Sequence, residues 1–255
     1  MKQLFFSLFT LFLLIYIAGC LLLYLFQSSF IYYPTPVIKH PFTEKTFMHD
    51  GETLKVITLN EGKQKAIVYF GGNGEAVVYS SEDFLKNFPD HTVYLVNYRG
   101  YGGSSGTPTQ AGLFSDALYL YDAIKKDHQQ ITAVGRSLGS GVALYLAAQR
   151  EIEKLVLITP YESIQSVAQA IYPIFPMALI LRDKYRSVDY VEKISAKETL
   201  MLIAEEDKVI DPSHAYRLAE KFLHKEITIQ VIEGKGHNTI SYDKRYYPLL
   251  KAFIE

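Results

Sequence analysis

Seven short runs of β-branched and aliphatic residues, separated by amphipathic stretches, constrain this chain more than any other feature. They are ETLKVITL (52–59), AIVYF (66–70), TVYLVNY (92–98), ITAVG (131–135), KLVLIT (154–159), TLMLIAE (199–205) and ITIQVIE (227–233). None shows strict polar alternation, the pattern expected of strands buried on both faces. Amphipathic helices are predicted between them, over about 76–88, 109–126, 138–150, 212–224 and 242–254. Alternation of this kind predicts an α/β fold, a mostly parallel central sheet covered by helices on both faces. At 255 residues and 49% hydrophobic, the chain has enough apolar material for one full core.

Ahead of this pattern, Leu4–Phe26 reads LFFSLFTLFLLIYIAGCLLLYLF, with no charge in it. Roughly twenty such residues at 1.5 Å each span the hydrocarbon core of a bilayer. A cleavable signal has a shorter apolar region, so residues 1–27 are expected to form a membrane anchor, and residues 28–255 the globular domain. Lys2 and the α-amine are the positive groups before the run, which predicts a single pass with the domain on the non-cytoplasmic side. IAGC (Ile17–Cys20) resembles a bacterial lipoprotein box, although LLLYLF keeps the segment apolar beyond Cys20. Either route tethers the domain to a membrane. QSSFIYYPTP (27–36), with two prolines, is predicted to be an extended connector.

Composition removes several function classes. A net charge of −1 gives no electrostatic footprint for nucleic acid. One cysteine rules out a disulfide framework or a cysteine-based metal site within the chain. The seven histidines show no i,i+4 pair and no HExxH, so no metal or other cofactor is expected. Oligomeric state leaves no mark in the sequence. Residues 160–194 interrupt the strand–helix rhythm. They include the apolar, proline-punctuated AIYPIFPMALIL (170–181), and form either a short cap, over about 164–188, above an apolar pocket, or a segment packed on the sheet edge.

The stretch AVGRSLGSGVA (133–143) carries the chemistry. It lacks the lysine of a phosphate-binding GxxxxGK[ST] loop. Its GxxxGxG spacing and mid-chain position do not fit a dinucleotide fingerprint. Gly135-Arg136-Ser137-Leu138-Gly139 does fit GxSxG, with a strand entering and a helix leaving. The flanking glycines remove Cβ atoms from a sharp strand–turn–helix elbow. Ser137 is then the expected nucleophile, while Ser140 falls one turn into the helix and serves packing.

In such elbows an acid and then a histidine follow the serine along the chain. His214 and His224 fall inside a predicted helix. His237 instead sits in the Gly-flanked loop GKGHNTI after the last strand, where a reactive imidazole belongs in an α/β sheet. Glu205, Glu206, Asp207 and Asp211 compete for the acid. Asp207 lies on the loop past the strand end, whereas Asp211, next to Pro212, reads as a helix N-cap. Developing negative charge on a substrate requires backbone donors. The N–H of Leu138 supplies one, and the N–H of Asn73 or Gly72 in FGGNGE the other. The second glycine cluster, residues 97–109, is predicted to turn near the pocket rim.

FIYYP, FGGNGE, NYRGYGGSSGTPT, VGRSLGSGVA, EEDKVID and GKGH together resemble the α/β-hydrolase superfamily, and within it the small membrane-anchored serine hydrolases with a short cap. The likeness covers the chain from about Gln27 onward. It implies a Ser137–Asp207–His237 triad, a backbone oxyanion hole and cleavage of carboxylic ester or thioester bonds, with lysophospholipid lipases, protein depalmitoylases and serine peptidases among its relatives. The expected substrate is a small-molecule or lipid ester. The chain departs from the family at Gly71, where a histidine is usual, and in the displaced proline of Ile210-Asp211-Pro212. Main-chain donors form the hole, so activity is expected to survive the first change.

Overall fold

The computed structural model describes residues 1–223 and 225–255. Its elements in chain order are α1 (Lys2–Ile31), β1 (Thr43–His49), β2 (Glu52–Leu59), β3 (Lys65–Phe70), α2 (Ser81–Asn87), β4 (His91–Val96), α3 (Gln110–Ile124), β5 (Gln130–Arg136), α4 (Leu138–Gln149), β6 (Lys154–Ile158), α5 (Ile164–Ile171), α6 (Met177–Ile180), β7 (Glu198–Ala204), α7 (Pro212–Ala219), β8 (Glu226–Ile232) and α8 (Tyr246–Ile254). The described residues form an eight-stranded sheet in the order β1-β2-β4-β3-β5-β6-β7-β8. The β1–β2 and β2–β4 pairs are antiparallel, and from β4 to β8 every pairing is parallel. Because β3, β5, β7 and β8 run parallel, the loops that follow them all leave from the same edge of the sheet.

The absence of polar alternation in the strands follows from burial on both sides. Ala66, Val68 and Phe70 of β3 face one core with Ala133, Leu155, Leu157 and Met201, under α3 and α4. Ile67 and Tyr69 face the other with Val134, Val156, Ile158, Leu200 and Leu202, under α2 and α8. Each side of the pleat buries a full apolar row.

Several predicted boundaries are corrected. α1 continues to Ile31, so the connector is extended only from Tyr32 onward. Its last turns are also part of the domain: Gln27 and Tyr32 are buried, and the Tyr32 hydroxyl donates to Asp183 Oδ2 at 2.7 Å. β1, TEKTFMH, escaped the sequence reading because it is an exposed, polar edge strand whose side chains alternate rather than cluster. β8 is likewise an edge strand, and Ile229 and Val231 are exposed rather than buried on both faces. The helix predicted over 76–88 is a 3₁₀ turn followed by α2. That over 212–224 ends at Ala219, and His224 lies outside the described residues.

Close approach of α4 to the sheet fixes the centre of the fold. A Cβ on Gly139 would collide with the carbonyl of Phe70 at the end of β3, and one on Gly135 with the carbonyl of Gly139. Backbone atoms cannot move away as a flexible side chain can. Gly139→Ala is expected to destabilise the protein by about 3 kcal/mol, as overpacking does at rigid sites. Denaturant unfolding in detergent checks this.

Candidate active site

The turn from β5 into α4 places Ser137 at φ +51°, ψ −118°, outside the allowed regions for a residue with a side chain. The strain is held from both sides. Ser137 N–H donates to Ile158 O of β6 at 2.8 Å, and the Ser140 hydroxyl donates to Ser137 O at 2.6 Å. Ser140 is thus a hydrogen-bonding brace for the elbow as well as a small packing residue. The turn pushes the Ser137 Oγ above the edge of the sheet, in the position a nucleophile elbow gives its serine.

His237 comes from the loop after β8. Its Nε2 lies 2.9 Å from Ser137 Oγ and its Nδ1 2.7 Å from Asp207 Oδ2. All three residues are buried, between 6% and 8% exposed. Asp207 sits on the loop after β7, where its Oδ1 accepts the N–H groups of Val209 at 2.9 Å and Ile210 at 2.8 Å. An ionised carboxylate can only accept, so Nδ1 carries the hydrogen and Nε2 presents its lone pair to the serine hydroxyl. The competing acids are engaged elsewhere. Glu205 and Glu206 are exposed, and Glu205 Oε2 accepts from Gly234 N at 2.9 Å. Asp211 caps α7 by accepting from Ser213 N at 2.9 Å. His214 is buried against Glu162 Oε2 at 2.7 Å, far along the chain from the serine loop.

The loop after β3 runs beside the serine, since a Cβ on Gly72 would stand 3.5 Å from that of Ser137. The Gly72 N–H is committed, donating to Glu75 Oε2 at 2.8 Å, and this corrects its place among the expected oxyanion donors. Among the described residues, no acceptor engages the N–H of Asn73 or of Leu138. Asn73 is held through its side chain, whose Oδ1 accepts from Tyr33 N and from the Tyr101 hydroxyl, each at 2.8 Å. Leu138 opens α4, where the helix dipole reinforces its N–H. The cluster at 97–109 supplies Tyr101, and Tyr98, whose hydroxyl donates to Gly71 O at 2.8 Å.

Two residues that the sequence reading did not single out tie this site together. Glu75 Oε1 accepts from the Tyr69 hydroxyl at 2.7 Å, while its Oε2 meets Arg136 Nη1 at 3.2 Å. Arg136 Nη2 donates to His237 O at 3.1 Å. Burial works against a charged Arg136 guanidinium, but the adjacent Glu75 carboxylate together with Tyr69 and Tyr246 outweighs it and raises the pKa above the usual arginine value. Through one ion pair, the loops after β3, β5 and β8 become a single unit. The only sequence signal was a charged residue inside GRSLG, which cannot be buried there without a partner.

Ser137 stands between two cavities. One, of about 320 Å³, is apolar and lined by Leu23, Phe30 and Ile31 of α1, by Ile164, Val167 and Ile171 of α5, and by Met177 and Ile180 of α6. The other, of about 390 Å³, is lined by Asn73, Glu75, Arg136, His237, Asn238 and Tyr242. Tyr33, Asn73, Ser137 and Val209 border both. The insertion after β6 therefore roofs a cavity beside the serine, with α1 as its other wall.

Known proteins share this architecture. A family model for the alpha/beta hydrolase fold matches residues 65–178. An uncharacterized protein of Mycobacterium tuberculosis is 33% identical over 151 residues, 58% of this chain and 53% of that protein. Human alpha/beta hydrolase domain-containing protein 17B is 29% identical over 168 residues, 64% of this chain and 56% of the human one. The chain spans about half the length of the curated relatives it matches. An esterase of Pyrococcus furiosus superposes with a TM-score of 0.66 at 17% identity, covering 87% of this chain and 98% of the esterase. Est1E of Butyrivibrio proteoclasticus, solved with ferulic acid bound, gives 0.65 at 15% identity, covering 82% and 96%. At these identities the structural likeness is one of fold. The chain has the α/β-hydrolase fold, and the family model for that fold matches its sequence from β3 into α6.

Removing Glu75 would leave the Arg136 charge buried without its partner. Glu75→Ala is expected to lower the unfolding free energy by about 3 kcal/mol, and Glu75→Gln by less, because it keeps an acceptor for Gly72. Denaturant midpoints of the two variants, measured in the same detergent, check both values.

Proposed function

We propose that this protein is a membrane-tethered serine hydrolase that cleaves ester or thioester bonds of acyl-chain substrates. One observation carries the reading: a serine at a strained elbow, an imidazole and a carboxylate stand in hydrogen-bonded series, at the junction of an apolar and a polar cavity.

His237 Nε2 takes the proton from Ser137 as Oγ attacks the acyl carbonyl carbon. Asp207 keeps the imidazole in the required tautomer and stabilises its charged form. The N–H groups of Leu138 and Asn73 receive the oxyanion of the tetrahedral intermediate. Collapse breaks the bond to the alkoxide or thiolate, which leaves with the proton from His237. A water molecule, deprotonated by the same imidazole, then attacks the acyl-enzyme and frees the fatty acid. The acyl chain lies in the apolar cavity and the leaving group in the polar one, beside Asn238 and Tyr242.

α1 is the tether. It is 30 residues long and apolar enough to cross a bilayer, and Lys2 at its start favours a cytoplasmic N-terminus with the catalytic domain on the opposite side. Cys20 lies within the helix and packs against Met177, Ile180 and Leu181, which supports an anchor that keeps α1 whole over lipidation at a cleaved Cys20. The reading requires a small-molecule or lipid substrate and no cofactor.

Ser137→Ala is expected to abolish labelling by a serine-reactive fluorophosphonate and to cut kcat by about 10⁴-fold or more. Asp207→Asn is expected to lower kcat by about 10⁴-fold, because it favours the wrong imidazole tautomer. Equal labelling of wild type and Ser137→Ala would overturn the nucleophile. A panel of oxygen esters, thioesters and a peptide amide of matched acyl length reads the bond type, and preference for the amide would overturn the ester reading.

A further inference from the structure

The apolar tip of the insertion has no charged side chain from Ala170 to Leu181. Ile171, Ile174 and Leu179 are exposed on it, at 58%, 70% and 82%. It packs against the second half of α1. Tyr16 stacks on Phe175 with ring centroids 5.5 Å apart, the Tyr16 hydroxyl donates to Ile174 O at 2.9 Å, and Gly19 lies against the Phe175 ring.

The length of α1 sets the depth of these contacts. A hydrocarbon core of about 30 Å takes about 20 helical residues. Lys2 keeps its charge out of the hydrocarbon, so a span beginning at Leu4 ends no earlier than about Leu23. Tyr16 is seven residues before that end, hence about 10 Å below the near surface at 1.5 Å per residue. Tilting the helix lengthens the span and takes Tyr16 deeper. Whatever touches Tyr16 and Gly19 is therefore inside the leaflet. A polar belt follows at the level where the span ends. The Arg182 guanidinium sits 4.9 Å from the Tyr24 ring centre, with Lys184 two residues on, as tyrosine and basic residues do at headgroup depth.

Irregular backbone survives in hydrocarbon only if its polar groups are satisfied internally. Three side chains satisfy polar groups of the tip: the Tyr16 hydroxyl on Ile174 O, Lys184 Nζ on Ala178 O at 2.7 Å, and Gln169. Gln169 Nε2 donates to Pro173 O at 3.1 Å and Phe175 O at 3.0 Å, while its Oε1 accepts from Met177 N at 3.2 Å. At the belt, Gln27 does the same: its Nε2 donates to Ile180 O at 3.1 Å and its Oε1 accepts from Arg182 N at 2.7 Å.

We propose that the Ile171–Leu179 tip is immersed in the near leaflet beside α1, and that the apolar cavity at Ser137 fills laterally with an acyl chain from that leaflet. The chain moves from lipid to the serine between α1 and α5, past Leu23 and Ile171, without crossing water. α1 is then a wall of the substrate site as well as a tether. This rests on the reading of α1 as a bilayer span and of Ser137 as acting on acyl chains.

The sequence contains no tryptophan, so Leu179→Trp in the full chain, reconstituted in phosphatidylcholine vesicles, gives a single reporter. Brominated acyl chains are expected to quench its emission at least twofold and its maximum to be blue-shifted, while Met48→Trp, on the exposed β1 edge, stays unquenched. Unquenched, water-like emission from Leu179→Trp would overturn the immersion. In the same vesicles, Ile174→Asp and Leu179→Asp are expected to lower kcat/KM for a long-chain ester embedded in the bilayer at least tenfold, leaving hydrolysis of a water-soluble acetyl ester within twofold. A parallel loss on both esters, or on neither, would overturn lateral loading. Acetyl-ester hydrolysis that survives Ser137→Ala would instead remove the catalytic reading and leave the quenching result standing.

Discussion

Everything at the site depends on a backbone-to-backbone contact with no room for a side chain. Gly139 sets the first turn of α4 against the carbonyl of Phe70, and Gly135 lets the chain double back at the end of β5. That approach forces the φ of +51° at Ser137, lifts its hydroxyl above the sheet edge and brings the loop after β3 alongside it. Positive φ costs a non-glycine residue about 1–3 kcal/mol and persists only where the surroundings over-determine it. Here the bond to Ile158 O and the Ser140 brace do so.

The parallel sheet then acts as a positioning frame. β5, β7 and β8 end at the same edge, and each delivers one member of the Ser137–Asp207–His237 series from the loop that follows it. Loops of this kind would ordinarily be the mobile part of the molecule. Two devices hold them. Asp207 is fixed by backbone donors from its own turn, and the Glu75–Arg136 pair joins the β3 loop to the elbow and to the carbonyl of His237. Glu75 also occupies the N–H of Gly72, so the charge that stiffens the loop decides which backbone donors stay free. Around Gly71, stiffness comes from this carboxylate and from the Tyr98 and Tyr101 hydroxyls.

The environments on the two sides of Ser137 differ because different parts of the chain build them. The polar cavity belongs to the loops at the sheet edge. The apolar one belongs to α1, α5 and α6, the most lipid-like stretches of the sequence, and its walls meet through Gln27, Tyr32 and the Phe175 ring. An apolar helix that merely tethered a domain would have no reason to bury a glutamine at its end or to stack a tyrosine on the insertion. Those contacts couple the apolar N-terminal helix and the insertion to the serine within one structure.

By itself the sequence determined the sheet and the order of its chemistry. Strands apolar on both faces can exist only under two helical layers, so the alternation of runs from residue 52 onward specified the architecture. GxSxG between a strand and a helix admits one kind of turn, and the residues past the ends of the last two strands offered Asp207 and His237, which the fold sets in hydrogen-bonded series with Ser137. Polar edge strands carry no such signal, and β1 was invisible for that reason. Only the tertiary structure decided which N–H groups of the β3 loop are engaged, because the bond at Gly72 depends on where Glu75 folds back. It also decided that Glu75 and Arg136, 61 residues apart, form a pair, and that α1 lines a cavity instead of ending before the domain. Each is a contact between segments distant in sequence, and the periodicity of either segment alone contains no record of the other.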